Sequence, residues 1–309
     1  MLEINKSIEQ GFSGKPGGLY DILKQLQNVG IGVGGEVYFV DNNAGSDGPD
    51  DGKSWERPYK TLSYAITASN ANIAASHHGW ASRNAILIKA DAMCEDLTVP
   101  PIKCDVIGVG SCDAEGKTRI TGEHAWTGSG TVMSSGFYNL TFWNDAATAI
   151  FTVATPAGIY FGDCDFVAKE DAIHAIHITG ATGHDFKVNN CRFINDEMND
   201  PFDTAAILIA TTTTFWNLEI KDSYVEGDIG IKIDATNLYN GWIDNCTVKA
   251  VGVTIDDDSA DCVVTNNTCI SEGNNGTIAT VLDITVALAA NNKITALTGG
   301  MKNCPPLAA

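Results

Sequence analysis

Hydrophobic and polar positions repeat through the second half of the chain as a short phrase. The phrase is an apolar pair, an Asn or Asp, a small residue, one free position and a large apolar residue. With the Asn or Asp as anchor, the copies are Asn139, Asp163, Asn190, Asp222, Asn245, Asn267 and Asn291. The spacings are 24, 27, 32, 23, 22 and 24 residues. A period of this length predicts stacked coils, in which each copy forms one rung.

Each copy also predicts which side chains point inward. The first and third residues after the anchor share one face of a strand, because strand side chains alternate. The expected small column is Leu140, Cys164, Cys191, Ser223, Cys246, Thr268 and Asn292. The expected large apolar column is Phe142, Phe166, Phe193, Val225, Val248, Ile270 and Ile294. The anchors are expected to form an asparagine ladder at a turn, since Asn and Asp tolerate unusual backbone angles.

Segments upstream of the repeats extend the same pattern. Val37-Tyr-Phe-Val-Asp41, Gly45-Ser-Asp-Gly48 and Pro58-Tyr-Lys-Thr-Leu62 read as an entry segment, and residues 85–122 read as first coils. Together with the repeats, these segments resemble the right-handed parallel β-helix (pectate-lyase-like) superfamily, and most of all the β-helix proteins of phage virions. The resemblance implies an all-β fold, a right-handed parallel β-helix solenoid with a short N-terminal helical cap.

The chain divides into three expected parts: 1–36, a capping or docking segment; 37–300, the β-helix; and 301–309, a tail. In the first part, apolar residues at helical spacing predict an amphipathic helix. These residues are Leu19, Ile22, Leu23 and Leu26. The helix has two interpretations, a cap over the open end of the solenoid or an anchor that docks onto a larger particle. A second helix is expected from Lys60 to about Ser76.

Composition narrows the partners and the compartment. The net charge of −19 argues against a nucleic-acid ligand, because phosphate binding needs clustered Lys and Arg. No apolar run is long enough for a membrane span, and the N-terminal residues do not resemble a signal peptide. Nine cysteines, an odd number, favour reduced thiols in the core. We therefore expect synthesis in a host cytoplasm without a signal peptide, and no cofactor.

Catalytic residues are not assigned, although acidic candidates exist. By resemblance, the lyases of this fold need a calcium-binding carboxylate cluster with a basic residue, and the hydrolases need two or three Asp on neighbouring coils. If the chain is a lyase or a hydrolase, the candidates are Asp228, Asp234 and Asp244. Pairing on adjacent coils is expected for Asp228 with Asp234, or for Asp244 with Asp222.

Aromatic residues near two insertions are the candidates for binding. The insertions, residues 195–203 and 272–276, follow the same strand and are expected on one side of the tube. The aromatics are Trp216, Tyr224, Tyr239 and Trp242. If exposed, they suit a sugar-binding groove or a subunit interface; if buried, they fill the lumen. Trp242 has outward parity.

A loop rich in Asp and Gly offers a weak metal candidate. Asp47, Asp50 and Asp51 lie in it, but their spacing does not fit an EF-hand, and such loops are commonly turns. No metal is therefore assigned.

Three function hypotheses follow. The first is a structural protein of a phage virion, a capsid decoration, head fibre or short tail spike, that forms a homotrimer and attaches to other virion proteins through residues 1–36. The second is a lyase or hydrolase that depolymerises a host surface polysaccharide. The third is a glycan-binding module without catalysis.

Overall fold

The structure is a computed structural model. It describes residues 35–76, 81–89, 92–110, 117–127, 132–144, 146–168, 172–195, 202–259, 262–271, 282–284, 288–296 and 300–303. The predicted helix of residues 1–36, with Leu19, Ile22, Leu23 and Leu26, lies outside this part of the chain. No described helix is long and apolar enough to cross a membrane.

The chain winds through three parallel sheets in turn, and strands are numbered in chain order. The first sheet contains β1 (Val37–Val40), β2 (Asn84–Lys89), β4 (Cys104–Val109), β7 (Val132–Tyr138), β10 (Pro156–Gly162), β13 (Thr182–Asn189), β16 (Thr214–Lys221), β19 (Asn237–Tyr239), β20 (Gly241–Asp244), β23 (Cys262–Thr265) and β26 (Leu288–Ala290). The second contains β3 (Ala92–Cys94), β5 (Thr118–Thr121), β8 (Leu140–Asn144), β11 (Asp165–Ala168), β14 (Arg192–Asn195), β17 (Tyr224–Gly227), β21 (Thr247–Ala250), β24 (Thr268–Ser271), β27 (Lys293–Ala296) and β28 (Gly300–Asn303). The third contains β6 (His124–Trp126), β9 (Phe151–Val153), β12 (Ile176–Ile178), β15 (Ala205–Ile209), β18 (Ile229–Ile233), β22 (Ile255–Asp257) and β25 (Leu282–Ile284).

This architecture is a right-handed parallel β-helix: the repeat predicts its stacked coils, and the resemblance implies their right-handed parallel form. The seven strands of the third sheet correspond to about seven turns. Among the described strands, only β27 and β28 pair antiparallel. β28 extends to Asn303, beyond residue 300, where the sequence interpretation ends the solenoid.

Like residues stack inside the tube. Phe142, Phe166 and Phe193 are fully buried, and their ring centroids are separated by 5.4 Å and then 4.6 Å. Burying each such ring stabilises the fold by about 1.5–3 kcal/mol. Six described cysteines are buried and form no disulfide in the structure, in line with the reduced core thiols that the sequence predicts: Cys104, Cys164, Cys191, Cys246, Cys262 and Cys269. Burial raises the pKa of Cys104 to about 12.

The predicted turn ladder exists, with one correction. The anchors adopt positive φ between the first and second sheets, for example 52° at Asn190 and 53° at Asn245. In the next coil the residue with positive φ is Asn266, not Asn267.

This shift moves both inward columns of that coil by one residue. Asn267 occupies the small column and Cys269 the large one, so the predictions for Thr268 and Ile270 are wrong. The Asn267 amide is fixed inside the tube, where it accepts from Cys246 N (2.8 Å) and donates to Ile243 O (3.1 Å).

A second column of positive-φ residues crosses the first sheet and was not predicted. It consists of Lys103, Ser134, Gly158, Asp185, Asn217 and Asn240. At each position the strand carries an extra outward residue, as a bulge does. Side chains extend the column into a ladder, since Asn240 Nδ2 donates to Asn217 Oδ1 (3.1 Å) and Asn217 Nδ2 donates to Asp185 Oδ1 (2.8 Å).

The helix expected near residues 60–76 is α1 (Leu62–Ala75). It packs against β1 and β2, and Leu62, Ala65 and Ile66 join the same core as the coils. Its N-terminus is capped by Thr61, whose side chain accepts from Tyr64 N. The solenoid therefore has a helix packed against its first two strands.

Candidate functional site

Three of the four aromatic residues that the sequence suggests for binding lie on the outer face of the first sheet. Trp216 is 40% exposed, Tyr239 is 44% exposed and Trp242 is 45% exposed. Trp216 pairs with Tyr239 across β16 and β19, and Trp242 on β20 pairs with Glu219 on β16. The outward parity predicted for Trp242 is confirmed.

Trp216 and Tyr239 form a stack. Their ring centroids are 6.2 Å apart, with an interplanar angle of 22°. Phe215 and Leu238, the residues before them, are fully buried and hold the two strands in register. The stack therefore rests on the core and presents its rings to solvent.

Neutral polar groups surround the stack. Thr214 and Asn237 lie two residues before the aromatics and pair with each other across the strands. Asn217 and Asn240, the bulge residues, follow the aromatics directly, and both are exposed. Amide and hydroxyl groups therefore lie on both sides of the rings.

Trp242 lies beyond the bulge and is held by two contacts. Lys221 Nζ lies 3.7 Å from its ring centroid, a cation–π contact. The indole Nε1 donates to Thr265 Oγ1 (3.3 Å), and this hydroxyl donates to Asp244 Oδ1 (2.6 Å). Both contacts restrict the ring while it remains exposed.

The two lysines on this part of the face share one carboxylate. Glu219 binds Lys187 (3.0 Å) and Lys221 (2.8 Å). Burial opposes ionisation of Glu219, but the hydrogen bonds from the two lysines outweigh it and lower its pKa. Asp185 has a lowered pKa as well, because His184 and Asn217 both hydrogen-bond to it.

The N-terminal half of the same outer face is built differently. The ring of Tyr138 lies where a side chain on Gly136 would be, with only 2.6 Å between a Cβ there and the ring. Tyr160 covers Gly162 in the same way, at 2.8 Å. Burial raises the pKa of Tyr138. These tyrosines cover backbone and offer little ring surface.

Tyr224, the fourth nominated aromatic, lies elsewhere. It belongs to β17 of the second sheet, and its hydroxyl donates to Glu226. The two insertions begin at the ends of β14 and β24, which are also in the second sheet. Residues 196–201 of the first insertion and the whole of the second, 272–276, lie outside the described residues. The sequence suggests that the aromatics lie beside the insertions. The exposed aromatics instead belong to the first sheet, whereas the strands that precede the insertions belong to the second.

The structure does not bring the acidic candidates together. Asp228 and Asp234 flank β18, so six residue steps of extended chain, about 20 Å, separate them. Asp244 lies on the first sheet, where its carboxylate accepts from Thr265 and Asn266. The Asp222 carboxylate accepts from Asn245 (2.6 Å) instead of meeting Asp244.

Two of the three candidate acids of the Asp/Gly loop, Asp47 and Asp51, have protein partners. Asp47 accepts from the backbone N–H groups of Lys60 (2.9 Å) and Thr61 (3.1 Å) at the start of α1. Asp51 pairs with Arg57 (2.9 Å), and Asp50 is exposed. Within the described ranges, no group of three or more His, Cys, Asp or Glu is arranged to hold a metal ion.

Searches against protein-family models and against curated proteins find no match to this chain. The sheet geometry itself therefore carries the functional argument. Sequence reasoning missed the bulge column and the Lys221 contact, because neither has a distinct residue signal.

Proposed function

We propose that this chain is a β-helix that binds a glycan, without cleaving it, on the outer face of the first sheet. The observation that carries the proposal is the exposed Trp216–Tyr239 stack with Trp242 beyond the bulge. Sugar rings present C–H faces that pack on aromatic rings, while their hydroxyls bond to amides and hydroxyls at the sides. Asn217, Asn240 and Thr214 supply such groups.

A virion role is the second proposal. The six described buried cysteines form no disulfide, which fits a protein made in a reducing cytoplasm, as phage components are. The resemblance to virion β-helices adds a homotrimer attached through residues 1–36, as a capsid decoration, head fibre or short tail spike. In this proposal the aromatic face points away from the particle toward a host glycan.

Depolymerisation remains the competing activity, and one experiment separates it from binding. The chain is run in affinity electrophoresis against a panel of bacterial surface polysaccharides, and the length of each polysaccharide is followed by size-exclusion chromatography. We expect at least one polysaccharide to retard the chain while keeping its length. A shortened polysaccharide would establish an enzyme instead.

Matched variants locate the binding. The double variant Trp216→Ala/Tyr239→Ala should lose most of the retardation. Trp55→Ala removes a tryptophan of similar exposure, 43%, that lies against Phe39 at the other end of the solenoid, and should bind as the native chain does. Equal binding by native chain and double variant would overturn the proposed site.

The virion proposal has its own test. Light scattering should give three times the chain mass of 32.7 kDa, and deletion of residues 1–30 should abolish particle attachment while the far-ultraviolet β signal stays. A stable monomer that still attaches to particles would contradict this proposal and leave glycan binding unaffected.

A further inference from the structure

We infer that the glycan taken by the Trp216–Tyr239 face is uncharged, and that Glu219 contributes to this choice by pairing with two lysines. The inference rests on the proposed function, since it specifies the class of ligand for the same surface.

The two described lysines beside the aromatics are already paired. An anionic sugar needs a cation that is free to meet its carboxylate or sulfate. Lys187 and Lys221 lie on the outer face beside the aromatics, and both bind the same carboxylate, Glu219, at 3.0 Å and 2.8 Å. Lys221 is also engaged with the ring of Trp242.

The remaining charges around the rings are negative. Asp185 lies in the bulge column next to Asn217, and Asp244 follows Trp242 by two residues. The net charge of the whole chain is −19. Two like charges 4 Å apart repel by about 1 kcal/mol in water, and a polyanion would meet such repulsion at several sugars.

The groups nearest to the stack suit hydroxyls. Thr214, Asn217, Asn237 and Asn240 are neutral, and amides both donate and accept, as sugar hydroxyls do. The surface therefore offers aromatic faces and neutral hydrogen-bonding groups, with its cations occupied. This combination favours a neutral glycan.

The test uses polysaccharides that differ in charge alone. Each uronic-acid-containing polysaccharide of a bacterial panel is compared with its carboxyl-reduced form, alongside neutral polysaccharides, by affinity electrophoresis with the full chain. We expect neutral and carboxyl-reduced polymers to retain the chain at least ten-fold more tightly than any uronic-acid-containing parent. Added salt should not weaken the retention by the neutral and carboxyl-reduced polymers. Equal or tighter retention by a parent polymer would overturn the inference and leave glycan binding intact. No retention by any polymer would overturn the proposed function itself.

A single substitution tests the part assigned to Glu219. Glu219→Gln removes the carboxylate that pairs with Lys187 and Lys221, so the affinity for the charged parent polysaccharides should rise. The ten-fold preference for carboxyl-reduced forms over these parents should therefore become smaller. Glu226→Gln is the matched control, because Glu226 lies on the second sheet beside Lys249. An unchanged preference in Glu219→Gln, in a chain that still binds the carboxyl-reduced forms, would contradict the role of Glu219.

Discussion

Aromatic side chains stack from coil to coil both inside the tube and on its outer face, in different surroundings. Inside the tube, Phe142, Phe166 and Phe193 stack from coil to coil without solvent exposure. Outside, Trp216 and Tyr239 stack in the same way on the first sheet, and each is at least 40% exposed. Parallel in-register strands, about 4.8 Å apart, produce both ladders.

The comparison shows that stacking by itself does not indicate function. The inner ladder is accounted for by burial, and Tyr138 and Tyr160 on the outer face are accounted for by the glycines they cover. The Trp216–Tyr239 rings keep exposed surface that no contact within the described chain explains. That difference in exposure is the reason why the proposed binding role falls on the Trp216–Tyr239 ladder alone.

The largest expected effect is on the inner ladder. Phe166→Ala should lower the free energy of unfolding by about 3–5 kcal/mol, because it leaves a cavity between two stacked rings. Trp216→Ala, its outer counterpart, should cost less than about 1 kcal/mol. Denaturant unfolding of both variants measures the contrast, and similar losses would contradict the assignment of inner and outer roles.

A buried ion pair under the outer face should give the next effect. Arg83 Nε donates to Asp105 Oδ2 (2.6 Å), and Asp105 is fully buried. Arg83→Met leaves this carboxylate without its cation, so the free energy of unfolding should fall by about 3 kcal/mol. Lys187→Met, which breaks an exposed pair, should lower it by less than about 1 kcal/mol. Equal losses would show that burial of Asp105 does not make its ion pair the more important of the two.

The interior should also respond to pH through His124. Its Nδ1 accepts from Leu97 N (3.2 Å), and burial lowers its pKa to about 3, despite the opposing charge of Asp96. The unfolded chain takes up the proton near pH 6.5, so the stabilisation is complete above that pH and is lost as pH falls toward 3. Burial also lowers the pKa of His177, to about 4, which adds a loss of the same sign.

Unfolding at several pH values measures this dependence. Between pH 6.5 and 5 the contribution of His124 should be about 2 kcal/mol, from 1.36 kcal/mol per pH unit. His124→Phe should flatten this slope even if it lowers stability overall. A slope that is unchanged in His124→Phe would exclude His124 as its origin.

The smallest expected effect concerns the outer ring beyond the bulge. Lys221 and Trp242 should couple by about 0.5–1 kcal/mol in a double-mutant cycle with Lys221→Met and Trp242→Leu, because their cation–π contact is exposed. Chemical unfolding of the four chains gives the coupling energy. Additive effects would show that the contact does not hold the ring.

The sequence predicts the interior well, because alternation and period determine it. The inward columns are right through Val248, and the helix expected near residues 60–76 is α1. The register fails at Asn266 and Asn267, since either amide side chain suits a positive-φ turn and only packing selects between them.

The outer face was less predictable. The bulge column contains Lys103, Ser134 and Gly158 besides Asx residues, so it has no common residue type. The sequence suggests adjacent coils for Asp228 and Asp234 because it does not give the bounds of β18. In the structure the two residues flank this single strand. The exposure of Trp216 depends on the position of the bulge, because the bulge shifts the alternation of inward and outward side chains along the strand. The repeated phrase does not indicate this position.

The most direct test of the binding face is oxidative footprinting by mass spectrometry, with and without a retained polysaccharide. The account predicts protection of Trp216, Tyr239 and Trp242, with Trp55 oxidised equally in both samples. Polysaccharide binding that leaves these three residues unprotected, or protects Trp55 instead, would contradict the account.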